Sequence, residues 1–293
     1  MDTFAGALVN GILVGGVYVA VALGMVMIFK ATKVVSLAHG AVLMLLAYLA
    51  WDLSDLRHFP LWGAWILTIL VGMTVGWILN RLFLRPVIGR PLMVPFLVCL
   101  VLAMVVRGVA LLCWQGRVGT LHSLPEGTAH IGGASITYAY ITAFLISMVM
   151  FIALVVYFRR TKMGLLMRCV AEEHNTSRSM GLDVRKVFSL SWIIACALAA
   201  VSGILLGSLN VVEDAMGSPI LIRALPAMLL GGMESIPGAL VGGIILGMAE
   251  VMASTYVDPH IGGFRDLMPF ILIVAILLIR PYGLFGEKTV ERI

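Results

Sequence analysis

Nine stretches of nearly unbroken apolar sequence decide what this chain can become: Ala5 to Phe29, Val34 to Trp51, Leu61 to Leu82, Leu92 to Cys113, Ile136 to Phe158, Phe188 to Leu209, Pro219 to Leu230, Pro237 to Tyr256 and Leu267 to Ile279. About 20 apolar residues in a helix cross a bilayer, and most of these runs approach that length. The chain is therefore expected to be an all-α integral membrane protein, a polytopic helical bundle with about eight to nine membrane segments. Composition agrees, since only 12% of the 293 residues are charged and 61% are hydrophobic, against about 25% charged in soluble domains. The opening MDTFAGALVNG lacks a basic stretch, and the apolar run after it is too long for a cleaved signal. The first segment is expected to remain as a membrane helix.

The longest polar interval, Arg159 to Val187, sets the orientation. It holds seven basic residues (Arg159, Arg160, Lys162, Arg168, Arg178, Arg185 and Lys186) against three acidic ones. Lys and Arg near span ends resist translocation, which places this loop in the cytoplasm. Alternation from there puts fifteen basic residues inside, including Lys30, Lys33, Arg81, Arg85, Arg90, Arg280, Lys288 and Arg292, and only Arg57, Arg117 and Arg265 outside. The N-terminus is then outside and the C-terminus cytoplasmic. The net charge of +5 reflects this inside bias, and no basic face with interleaved aromatics offers itself to nucleic acid. Cys99, Cys113, Cys169 and Cys196 lack metal-ligand spacing and read as buried small residues.

The Pro219 to Leu230 run is short for a span. Two arrangements fit it: a short helix followed by a longer one, both crossing, or a re-entrant hairpin whose tip, Gly231-Gly232-Met233-Glu234-Ser235-Ile236-Pro237, lies within the membrane. Irregular backbone at membrane depth persists only where protein buries it or it lines a wet cavity, so such a break would mark a pathway; an ordinary cytoplasmic turn is the plainer alternative. An internal repeat bears on the same region. His39-Gly40-Ala41 opens a helix that leads to Arg85-Pro86, and Pro237-Gly238-Ala239 opens one that leads to Arg280-Pro281, with separations of 45 and 42 residues.

Glycines four apart recur: Gly11 with Gly15, Gly72 with Gly76, Gly203 with Gly207, Gly238 with Gly242, and Gly243 with Gly247. Each pair marks a face where helix backbones approach closely, without saying which partner is met. Charges inside apolar runs are costly unless paired or wetted, which singles out Arg107, Arg223, Glu234 and Glu250, with Arg107 and Glu250 as candidates for a buried pair. His39 reads either as a pathway residue able to titrate or as a satisfied structural histidine.

Catalytic patterns are missing from the sequence. There is no phosphate-binding Gly-x-x-x-x-Gly-Lys-[Ser/Thr], no His-Glu-x-x-His and no Gly-x-Ser-x-Gly. Uphill transport would draw on an ion gradient or on another subunit. An ion-coupled secondary transporter would be expected to carry acidic or polar ligands in several spans, and here Glu250 and Glu234 alone qualify. The centre of the polar loop, VAEEHNTSRSMGL, instead reads as a short helix closed by Gly181, suited to docking onto a soluble motor.

Along nearly its whole length the chain resembles the LivH-type membrane permeases of ATP-binding-cassette importers for branched-chain amino acids. The resemblance lies in Asn10-Gly11 with Gly15, Tyr18, Ala22, Leu23 and Gly24; in Ala38-His39-Gly40; in Ala171 to Leu182; in Gly231 to Ala239 with Gly242-Gly243, Gly247 and Glu250; and in Arg280-Pro281-Tyr282-Gly283-Leu284-Phe285-Gly286. It implies a single transmembrane permease domain over residues 1–293 of a bacterial inner membrane importer. Such a domain pairs with a second permease subunit, homologous or identical, with two cytoplasmic ATPase subunits that carry ATP and Mg, and with a periplasmic solute-binding protein. No cofactor is then expected on this chain. Within the coupling loop 159–187, Glu172, Glu173, Asn175, Arg178, Gly181 and Leu182 match the ATPase-contacting position. The expected translocation pathway comprises Ser36, His39, Gly40, Gly231, Gly232, Glu234, Pro237, Gly238 and Glu250. The outer loop from Trp114 to Ser135 is the candidate contact for the binding protein. Two departures from the family pattern, Ser36-Leu37 in place of Asn-Phe and the charge at Arg223, widen the cargo from leucine, isoleucine and valine to related solutes such as urea, short amides and aromatic acids.

Overall fold

The computed structural model describes residues 2–87, 89–91, 93–131, 134–172, 183–280 and 282–286. Their α-helices are, in order, α1 (Asp2–Thr32), α2 (Ala38–Trp51), α3 (Leu61–Leu79), α4 (Met93–Trp114), α5 (Tyr138–Arg160), α6 (Lys162–Glu172), α7 (Val184–Leu209), α8 (Gly217–Gly231), α9 (Ile236–Tyr256) and α10 (Phe264–Ile279). Among the described residues, six helices are long and apolar enough to cross a membrane: α1, α3, α4, α5, α7 and α9. Strand structure among the described residues is confined to two small antiparallel pairs. β1 (Gly119–Thr120) pairs with β4 (Val211–Val212), and β2 (Thr128–Ile131) pairs with β3 (Ala134–Thr137), within and beside the interval that the sequence reads as an outer loop.

The chain divides into two compact units: Met1–Val26 with Pro125–Phe151 and Ile222–Ile293, and Met27–Leu124 with Ile152–Leu221. In the first, α1 and α9 run antiparallel in backbone contact. A Cβ on Gly11 would lie 2.7 Å from the Met248 Cα, and one on Gly15 would lie 2.7 Å from the Ile244 Cα. Helices α8 and α9 form a hairpin in which Gly231 faces Gly238 and Gly242 faces Ala227. Ser235 caps α9 by accepting from the Gly238 N–H at 3.0 Å, with Pro237 in the first turn, where a missing N–H costs nothing.

In the second unit α7 is packed from two sides. Gly72 and Gly76 bring α3 against the Cys196 and Trp192 carbonyls, while Gly203 and Gly207 bring α7 against Leu43 and Ala47 of α2. The glycine pairs thus do set helix contacts, and the partners are now fixed. Large apolar side chains that remain exposed, such as Trp62, Met93, Met104 and Leu112 on α3 and α4, suit a hydrocarbon solvent.

The contacts of α2 with α7 fix a depth. Leu43 beside Gly203 and Ala47 beside Gly207 make the two helices parallel, so Ala38 lies level with Leu198, fourteen residues into α7. At about 1.5 Å per residue that is roughly 21 Å along the helix. The run that the sequence reads as one span from Val34 therefore begins with irregular, largely buried backbone and becomes helical only at Ala38.

Candidate functional site

A charged centre forms in the first unit where four helices meet. Glu250 of α9 is wholly buried, and the Tyr18 hydroxyl of α1 donates to its Oε2 at 2.6 Å. Arg223 of α8 places Nε 3.8 Å from Glu250 Oε1, and Arg265 of α10 places Nε 3.8 Å from Oε2. Arg223 is held at its other end by Asp266, whose Oδ1 accepts from Nη2 at 2.8 Å. The Arg265 backbone N–H donates to Asp258 Oδ1 at 2.9 Å, which fixes the entry into α10. A separation of 3.8 Å is an ion pair without a hydrogen bond. Glu250 Oε1 and Arg265 Nε accordingly have no hydrogen-bond partner among the described residues.

The candidate pairing of Arg107 with Glu250 is not the one that forms. Arg107 donates instead to Asp214 Oδ2 at 2.7 Å, half-exposed in the second unit, and Glu250 takes Tyr18, Arg223 and Arg265. A single sequence shows the charges but not the helix faces that decide which opposite charges meet. Arg265 was hidden for the same reason: in the sequence it is one of the outside charges, and the fold turns its side chain back onto Glu250.

A second polar centre lies in the second unit, where α2 and α8 begin at the same level. A Cβ on Gly40 would lie 2.6 Å from the Gly217 carbonyl oxygen, and one on Gly217 would lie 2.5 Å from the Gly40 oxygen. The first turns of two helices, each with unsatisfied backbone N–H groups, thus approach each other. Ser36 and His39 sit at this junction, each 1% exposed. Both ring nitrogens of His39 and the Ser36 hydroxyl lack a hydrogen-bond partner among the described residues, although the Cys99 thiol lies beside Ser36. Three of the residues expected in the pathway, Ser36, His39 and Gly40, are therefore gathered at one break in the helices. The sequence pointed to this junction through His39-Gly40-Ala41 as a helix start, but not to the beginning of α8 beside it.

The remaining pathway candidates, Gly231, Gly232, Glu234, Pro237 and Gly238, form the tight α8–α9 turn. Gly232 is left-handed, with φ +101, a conformation that favours glycine. The C-terminal segment binds this turn: the Leu284 N–H donates to the Leu230 carbonyl at 2.9 Å and the Phe285 N–H donates to the Gly231 carbonyl at 3.0 Å. Two carbonyls at the end of α8 that no residue of their own helix can satisfy are thereby paired. Of the coupling residues, Glu172 closes α6, and Glu173, Asn175, Arg178, Gly181 and Leu182 lie outside the described residues. Cys99 and Cys196 are buried as expected, but Cys113 and Cys169 are exposed, because each sits at or beyond the apolar faces that the helices bury.

Among the described residues no group of His, Cys, Asp and Glu is arranged to hold a metal ion. A polytopic helical protein with unsaturated charged and polar groups in its apolar interior belongs, by class, with the membrane permeases. The chain belongs to the family described as "Branched-chain amino acid transport system / permease component", whose model matches residues 7–277. It is 28% identical to the high-affinity branched-chain amino acid transport system permease protein LivH of Salmonella typhimurium, over 97% of this chain and 96% of that one. It is 29% identical to the permease protein BraD of Pseudomonas aeruginosa, over 98% and 97%. In fold it is similar to an inward-facing ABC transporter described as of the metal-chelate type, with a TM-score of 0.52, 18% identity, and 92% of this chain and 84% of that one covered.

Proposed function

We propose that this chain is the membrane-spanning permease subunit of an ATP-driven importer for branched-chain amino acids or a closely related small polar solute. Family membership over residues 7–277 carries the reading. The working assembly is a second permease subunit, two cytoplasmic ATPase subunits that bind ATP and Mg, and a periplasmic binding protein that delivers cargo. The chain lies in a bacterial inner membrane with its N-terminus outside and its C-terminus in the cytoplasm, an orientation supported by the concentration of Lys and Arg in alternate loops. The six long helices, joined by α2, α8 and α10, supply eight to nine membrane segments of one permease domain over residues 1–293, with the two Gly-opened helices related as a repeat. An ion-coupled carrier fits less well, since Glu250 has two guanidinium groups beside it and is a poor cation ligand in that setting.

In this reading, residues 159–187 form the handle that the ATPase grips, through Glu172, Glu173, Asn175, Arg178, Gly181 and Leu182. Substituting Gly181→Trp or Glu173→Lys is expected to abolish stimulation of ATP hydrolysis by loaded binding protein in nanodiscs while leaving membrane insertion intact. Full stimulation in both variants would remove the loop from the mechanism. Failure of the chain to co-purify with an ATPase subunit would remove the importer reading itself.

The pathway residues are Ser36, His39 and Gly40 at the junction of α2 with α8 in the second unit, and, in the first, Gly231, Gly232, Glu234, Pro237 and Gly238 at the α8–α9 turn together with Glu250 of α9. Unsatisfied polar atoms at mid-helix depth are what a transient aqueous path needs. In a background freed of the native cysteines, Ser36→Cys and His39→Cys are expected to react with a membrane-impermeant thiol reagent in at least one of the nucleotide-free, ATP-bound and vanadate-trapped states. Protection in all three would make these residues packing elements.

A further inference from the structure

We propose that Arg223 and Arg265 form a carboxylate-binding pair for the cargo, which Asp266 occupies in the absence of cargo and Glu250 holds in place. The inference rests on the importer reading and narrows its cargo to solutes that carry a carboxylate, setting aside urea and simple amides.

Charge is the first argument. Two guanidinium groups flank one wholly buried carboxylate, Glu250, at 3.8 Å from each of its oxygens. That trio carries an excess positive charge, which is costly in an apolar interior unless an anion answers it. The anion at hand is Asp266, 2.8 Å from Arg223 Nη2, and its side chain is 72% exposed. A carboxylate at the solvated edge of a buried cluster is a counter-ion that another carboxylate can displace at little net change in charge.

Geometry is the second. An ion pair serving only to fasten helices closes to a charge-assisted hydrogen bond of about 2.7–2.9 Å. Here neither arginine closes on Glu250, and Arg265 Nε, itself buried, has no hydrogen-bond partner among the described residues, so the guanidinium is not locked onto the carboxylate. The two arginine side chains are 31% and 39% exposed, whereas the carboxylate behind them is not. Their outward N–H groups are therefore the part of the cluster that a solute can reach. Guanidinium forks match a planar carboxylate with two parallel hydrogen bonds, a fit that an amide or urea oxygen reproduces only in part. Tyr18, donating to Glu250 Oε2 at 2.6 Å, keeps the buried carboxylate turned toward the pair.

The test uses the purified assembled importer without its binding protein. Displacement of radiolabelled L-leucine is measured with unlabelled L-leucine, 4-methylpentanoate and L-leucinamide. Both carboxylates are expected to compete, and L-leucinamide to compete at least about tenfold more weakly. That comparison needs no variant to fold. Asp266→Asn, which frees Arg223, is expected to tighten L-leucine binding several-fold, although it removes an ion pair. Arg265→Gln is expected to weaken binding about tenfold or more, with partial recovery in Arg265→Lys. Equal competition by acid and amide, no saturable L-leucine binding, or an unchanged affinity in Asp266→Asn would each overturn the proposal. ATP-driven uptake in proteoliposomes separates the two readings. An assembly that binds acids as described but drives no uptake defeats the importer and keeps the site, and one that takes up leucine yet binds amide and acid alike defeats the site and keeps the importer.

Discussion

Replacing Glu250 with Gln is expected to lower folding stability by about 3 kcal/mol, because removing one member of a buried ion cluster leaves the others uncompensated. The loss is smaller than for a fully buried cluster because Arg223 and Arg265 are partly exposed and water screens them. Tyr18→Phe leaves the charge in place and deprives Oε2 of its donor, so a smaller loss of about 1–3 kcal/mol is expected. Changing Arg223 to Met together with Glu250→Gln removes opposite charges at once and should recover part of the loss, a coupling that a double-mutant cycle isolates. The readout is the denaturation midpoint of the detergent-purified chain. A Glu250→Gln protein as stable as its parent would show that the carboxylate balances nothing.

The second large effect is steric. Gly247→Leu should abolish recovery of monodisperse protein, since a Cβ at Gly247 runs into the Gly15 nitrogen and Cα, and lies 2.5 Å from the Gly11 carbonyl oxygen. All these atoms are backbone and cannot swing aside, so the cost exceeds the roughly 1–3 kcal/mol of ordinary overpacking, and α1 and α9 would have to separate. Gly108→Leu is the matched control. Nothing lies within 4 Å of a Cβ at Gly108, so that variant should be recovered at the parental level. Equal recovery of both variants, measured by size-exclusion chromatography, would mean that α1 and α9 do not pack through their glycines.

How much of this was legible in the residues differs from element to element. The long helices are stated outright by their apolar runs, because a bilayer-length apolar segment has few other fates. The α8–α9 turn was also visible, since Gly231, Gly232 and Pro237 punctuate it and Ser235 provides its cap. The break before α2 was only partly visible: His39-Gly40-Ala41 marked a helix start, but the run from Val34 to Trp51 is apolar apart from Ser36 and His39, and composition does not distinguish a helix from buried irregular chain. The charged centre was half visible: Glu250 and Arg223 stood out as charges in apolar runs, but Arg265 and Asp266 read as loop residues, and Tyr18 as one tyrosine among seven.

By itself the sequence determined that this is a many-helix membrane protein, which way its basic loops bias it, and where its helices can touch without side chains between them. Those properties follow from hydropathy, charge and the size of glycine, each local to a few residues. Only the tertiary structure decided which glycine faces meet, that α2 and α8 start level with each other, and that Glu250 is answered by Tyr18, Arg223 and Arg265 while Arg107 goes to Asp214. Such pairings depend on the rotation and depth of one helix against another, set by packing summed over whole faces.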